Sequence, residues 1–162
     1  MSRMDMLSLS AHLPLVTFTA GQAVVSEGGT SGGIWVLVSG ALQVIKGDVP
    51  VNAISQPGAL VGEVSVLLGR PNGATVIATV PSVMRHATDG QALLDSHPAI
   101  TRLVAVTLAE RLNFVTTYLA DLKHQYADAP GLAMVQDVLA QLSQRQSAPV
   151  RSGSVRDPQP DY

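Results

Sequence analysis

One stretch of this 162-residue chain gathers the residue types that could do chemistry: Gly58-Ala59-Leu60-Val61-Gly62-Glu63-Val64-Ser65-Val66-Leu67-Leu68-Gly69-Arg70-Pro71-Asn72-Gly73-Ala74-Thr75-Val76. With Val64 to Leu68 as a single helical turn, the N-terminus of that turn follows Gly62. Exposed backbone N–H groups at such a turn can hold an anion, and a carboxylate on the same turn can accept hydrogen bonds from vicinal hydroxyls. A phosphate beside a ribose would fit both. Glu63 sits inside a run of Val, Leu and Ala, where an unpartnered carboxylate is costly to bury. It reads as an acceptor for a ligand or for backbone donors, against the plainer alternative of a solvated turn residue. The first role is compatible with capping a turn while the pocket is empty.

Other chemistry is thinly represented. The chain has no cysteine, which removes disulfide scaffolds, zinc ribbons, iron–sulfur ligation and thiol catalysis. His12, His86, His97 and His124 are scattered without the paired spacing of a metal site. Gly28 to Gly33 is glycine-rich but lacks the Gly-Lys-Ser/Thr ending of a phosphate-binding Walker loop, so it reads as a turn. No set of nucleophile, base and acid stands out, and an enzyme is not expected.

The elements that must position this segment can be read from periodicity. With 46% hydrophobic and 14% charged residues the chain has ample material for a core, and at this length one domain of ordinary size is expected. Aromatic residues are few, so the core must be aliphatic. Val16–Thr19, Ala23–Ser26, Ile34–Val38, Ala41–Lys46, Val51–Ser55, Thr75–Val80 and Val83–Ala87 are strand-length runs separated by Gly and Pro turns. So many short strands predict a compact antiparallel β-roll or jelly roll. After residue 90 the period changes. Asp89 is suited to cap a short helix over Gln91 to Asp95, and Pro98 to open a longer one running to about Tyr126. Leu108, Leu112, Val115, Leu119 and Leu122 repeat along it at spacings of 4, 3, 4 and 3, an a/d heptad seam. Asp128 to Gly131 breaks the pattern, and a second amphipathic helix follows to about Arg145. The Ser-, Pro- and Gly-rich residues 146–162 have little to bury and read as a disordered tail.

Strands followed by Gly-Glu, a short apolar turn and Ala-Thr-Val resemble the phosphate-binding cassette of the cyclic nucleotide-binding domain, of the Crp/Fnr type. The resemblance extends through Phe18-Thr19-Ala20-Gly21-Gln22, Gly40-Ala41-Leu42-Gln43-Val44 and the helices, over roughly residues 10–145. It implies a β-roll plus long helix over 8–127, a hinge and C-terminal helix over 128–145, and the tail beyond. It also implies a sensor half without its DNA-binding half, because the residues after the hinge helix cannot make a helix-turn-helix domain. The net charge of −2 likewise argues against DNA binding by this chain alone.

Carried onto this sequence, the family pattern puts the backbone of Gly62, Val64 and Ser65 at the cyclic phosphate and Glu63 at the ribose 2′-hydroxyl. It lines the rest of the cassette with Ala74 and Thr75, and brings Thr116 and Thr117 of the long helix near the base. The pattern expects an arginine two residues before Ala74, and that position is Asn72. A charge-assisted contact is worth about 1.5 to 3 kcal/mol and a neutral amide contact less, so affinity should fall by about an order of magnitude or more. Arg70 could substitute, although Pro71 stiffens the link, and plain surface exposure is its alternative. Gly73 lacks the hydroxyl common in members that favour cGMP, which makes cAMP the expected nucleotide and cGMP the lesser one. Thr116 and Thr117 read equally as polar residues on a half-exposed helix face.

The seam from Leu108 to Leu122 reads as a parallel homodimer interface, the alternative being a face that packs on the β-roll. A second apolar face through Leu103, Val106, Phe114 and Tyr118 favours the dimer, since one face suffices for the roll. The expectation is therefore a cytoplasmic, dimeric regulatory module, with no membrane span, that acts through the long helix on an effector protein. The competing expectation is a degenerate fold serving as a dimerisation or interaction scaffold, or sensing another small ligand.

Overall fold

The computed structural model describes residues 5–126 and 132–146. In chain order the elements are α1 (Met6–Leu9), β1 (Leu15–Phe18), β2 (Ala23–Val25), β3 (Ile34–Ser39), β4 (Leu42–Lys46), β5 (Val49–Ile54), β6 (Leu60–Val61), α2 (Glu63–Leu68), β7 (Thr75–Ala78), β8 (Ser82–Ala87), α3 (Gly90–Ser96), α4 (Pro98–Gln125) and α5 (Leu132–Gln146). They fall into two compact units, Met1–Val104 and Ala105–Tyr162.

The first unit is an antiparallel β-roll of two four-stranded sheets, in the orders β1-β8-β3-β6 and β2-β7-β4-β5. Side-chain alternation along the strands decides what each sheet buries. Leu37 pairs with Met84 in the first sheet, and Leu42 with Ala78 and Val44 with Val76 in the second. These residues join Phe18, Val25 and Val61 in one aliphatic core. Ile34 and Val36 alternate with that set on β3, and they are buried as well. Their face of the sheet is met by helices: α1 lies on β3, and the start of α3 packs on Ile34 at Gly90. Leu93, Leu94, Ile100 and Val104 complete the buried helical side chains of this unit.

The turn chemistry matches the sequence. Asp89 caps α3 by accepting a hydrogen bond from the Ala92 N–H at 2.9 Å, and Pro98 opens α4. Two elements were not legible. α1 is one short turn held by the Asp5 carboxylate on the Ser8 N–H, and β6 is a two-residue pairing of Leu60 and Val61 with β3. Neither is long enough to show a period. β5 also begins two residues before the predicted start, at Val49, and takes in Pro50. That proline is tolerated because β5 is an edge strand.

In the second unit α4 continues to Gln125 and α5 spans Leu132–Gln146. The predicted hinge residues 128–131 and the predicted tail lie outside the described residues, apart from Gln146. Among the described residues, no helix is long and apolar enough to cross a membrane.

Candidate functional site: the cassette between β6 and β7

β6 delivers the chain to Gly62, which adopts a left-handed conformation with φ 93° and ψ −9° and serves as the N-cap of α2. A side chain is excluded there twice over. The backbone region is one that L-residues rarely enter, and a Cβ would lie 2.5 Å from the carbonyl oxygen of Gly33. The first bond of the helix runs from the Val66 N–H to the Gly62 carbonyl at 3.1 Å. The N–H groups of Glu63, Val64 and Ser65 therefore have no acceptor within the helix, as at any helix start. Gly69, with φ 62°, ends α2 after six residues.

This short helix is inside out. Its one charged residue, Glu63, is buried at 5% exposure, while Val64, Leu67 and Leu68 are 39%, 47% and 60% exposed. Core packing alone would orient it the other way, because burying a carboxylate costs free energy and burying leucines releases it. The arrangement puts a carboxylate and a set of backbone donors together at the start of α2.

The returning limb of the cassette is fastened to the turn at Ser26–Gly29. The Asn72 N–H donates to Gly29 O at 2.9 Å and the Gly28 N–H to Asn72 O at 2.8 Å. The Asn72 side chain joins them, Nδ2 donating to Ser26 O at 3.3 Å. Glu27 N–H donates to Thr75 Oγ1 at 3.0 Å, and Gly47 N–H to the Glu27 carboxylate at 2.9 Å. Asn72 is thus half-buried and engaged with the neighbouring turn. Arg70 and Gly73 are exposed, and Ala74 and Thr75 are half-buried at the start of β7.

Residues 15–93 match the family model of the cyclic nucleotide-binding domain. These residues carry a cyclic nucleotide-binding domain. The domain is similar to cAMP-dependent protein kinase regulatory subunits. That of Yarrowia lipolytica is 35% identical over 65 residues, covering 40% of this chain and 17% of the relative. That of Blastocladiella emersonii is 30% identical over 118 residues, covering 68% of this chain and 29% of the relative. The chain thus matches less than a third of either relative's length. Among solved structures, the CBD2 domain of PKAR with Sp-2Cl-cAMPS bound superposes with a TM-score of 0.58 at 16% identity, over 75% of this chain and 80% of that one. At that identity the likeness speaks for the fold.

The cyclic nucleotide-binding domain also brings together side chains that are far apart in sequence. Trp35 and His86 are paired across β3 and β8, and their rings stack with centroids 3.6 Å apart at 8°. Phe18 meets Trp35 edge-on at 5.3 Å. The stack adjoins the cassette, since Trp35 is also the partner of Val61, one residue before Gly62. Burial pushes the His86 pKa below the ordinary value of 6.5. His12 and His97 stack in the same way, with centroids at 4.8 Å. No sequence signal marked these pairs, because each depends on which strands or loops become neighbours. Among the described residues, no three His, Asp or Glu side chains gather as a metal site.

The remaining expected residues lie on α4 in the second unit. Thr116 is half-buried and Thr117 exposed. Along the seam Leu108, Leu119 and Leu122 are half-buried, whereas Leu112 and Val115 are exposed at 45% and 47%. On the second apolar face Phe114 and Tyr118 are more exposed still, at 71% and 57%.

Proposed function

We propose that this chain is a non-enzymatic cAMP sensor module. The cyclic phosphate is held by the backbone donors of Gly62, Val64 and Ser65, the ribose 2′-hydroxyl binds Glu63, and Ala74 and Thr75 line the far side. In this reading cGMP binds less well than cAMP. The observation that carries this reading is α2, which buries Glu63 while exposing its leucines in a segment that belongs to a cyclic nucleotide-binding domain. The likeness to cAMP-dependent protein kinase regulatory subunits supports cAMP as the ligand.

In this reading the module is a cytoplasmic homodimer joined through Leu108 to Leu122, with 8–127 as sensor and long helix, 128–145 as hinge and terminal helix, and 146–162 as tail. Nucleotide binding shifts α4 and changes its contacts with an effector protein. Such a shift requires that the ligand bind two helix arrangements with different affinity. The test is calorimetry of cAMP into protein that has been unfolded, washed free of retained ligand and refolded. Saturation near one nucleotide per chain, with micromolar affinity or better, is the expected result.

One observation favours a second reading. Asn72 stands where the family pattern expects an arginine, and its amide is directed to Ser26. A domain that has given up the phosphate-pairing cation could serve as a dimerisation scaffold or accept a neutral ligand. A flat calorimetric trace from well-folded protein would select that reading.

A further inference from the structure

His86, Gly33 and Gly62 form a line of contacts with no spare room. A Cβ on Gly33 would stand 2.6 Å from His86 Nε2, and a Cβ on Gly62 would stand 2.5 Å from Gly33 O. The imidazole is held on one side by the Trp35 indole, and the residue's backbone is fixed by its main-chain N–H, which donates to Pro14 O at 3.0 Å. We propose that the Trp35–His86 stack is a proton-responsive positioning element for the start of α2: neutral His86 holds Gly33, and through it Gly62, in the arrangement that aims the Glu63, Val64 and Ser65 N–H groups, and protonation loosens it. As a statement about ligand affinity, this rests on the cAMP-sensor reading.

The physical reason is hydration. A protonated imidazole donates from both nitrogens and must find acceptors for both. Attraction of the cation to the indole face favours the stacked position, while desolvation of the charged ring in its half-buried place opposes it, and burial lowers the pKa of His86. A charged ring is therefore drawn toward water and away from Gly33. Few groups compete for the role. β1, β3 and β6 bring no ionisable side chain to this region. Arg85 alternates to the opposite face of β8, where it donates to Ser10 O. Asp89 is engaged with the N–H of Ala92. Glu63, on α2, is the buried carboxylate nearest in sequence to Gly62.

Trp35 is the one tryptophan in the sequence, so its fluorescence reports the stack without background. The experiment follows Trp35 fluorescence and the backbone amide signals of Gly33, Gly62 and Glu63 by NMR from pH 8 to pH 5, in the full chain. Wild type is compared with His86→Phe, which keeps a planar ring, and with His86→Gln, which keeps a polar, non-titrating side chain should the first variant fold poorly. The expected result is one shared midpoint below 6.5 for fluorescence and amides, absent from both variants. Amides that stay fixed while Trp35 titrates, or a titration that persists unchanged in the variants, would overturn the proposal.

A ligand arm separates this inference from the functional reading. Affinity for cAMP should fall about tenfold across that range in wild type and stay constant in His86→Phe. Constant wild-type affinity would overturn the proposal. No binding at any pH would sink the cAMP reading instead, and the amide titration would still decide the positioning role.

Discussion

The carbonyl oxygen of Gly33 occupies the place where a side chain on Gly62 would begin, 2.5 Å from an ideal Cβ. Two glycines on different strand ends thus set how closely β6 approaches β3 and how α2 is aimed. Gly62→Ala should destabilise the protein by about 2 kcal/mol or more, combining left-handed strain with the clash. Urea unfolding of the variant tests this, and an unchanged midpoint would show that the backbone relaxes freely there. Where the variant still folds, cAMP binding should be lost.

Glu63 and Asn72 are predicted to act in opposite directions. Glu63→Ala should weaken cAMP binding by about tenfold or more, through loss of a charge-assisted acceptor. Asn72→Arg should strengthen it by a similar factor, and at the same time cost about 1 kcal/mol of stability as the bond to Ser26 O is lost. Calorimetry and thermal unfolding on the same preparations separate the two effects. Unchanged affinity in both variants would remove these residues from the site.

Stability should depend on pH through His86. Its folded pKa lies below 6.5, so the unfolded chain takes up the proton first as pH falls. The stabilisation is present in full above about 6.5 and is lost progressively as pH drops toward the lower folded value. Asp5 behaves as a carboxylate with a lowered pKa, through its bond to the Ser8 N–H, and matters only around and below 3.8. Urea midpoints measured between pH 8 and pH 5 should decline in wild type and remain level in His86→Phe.

The proposed dimer can be broken at α4. Leu112 and Val115 are about half exposed and adjoin the strongly exposed Phe114. A Leu112→Glu, Val115→Glu double variant should sediment as a monomer with its β-roll circular dichroism intact. A wild-type protein that is already monomeric at high micromolar concentration would exclude the seam as an interface.

What was legible in the sequence was whatever local periodicity encodes. β-Branched runs between glycines marked seven of the eight strands, Asp89 and Pro98 marked two helix starts, and Gly62-Glu63 marked the turn that became α2. Each is an i to i+4 relation, within reach of a single turn or pleat. The seam on α4 was equally visible, since it too is a repeat along one helix. The tertiary structure decided matters that involve partners distant in the chain. Asn72 turned toward Ser26, Trp35 came to lie on His86, and Gly33 came against Gly62 because the two sheets closed in one particular register. The inversion of α2 has the same origin. Glu63 alone in a run of apolar residues suggested an unusual environment, but only the packing of that turn on the roll decided that the carboxylate faces in and the leucines face out.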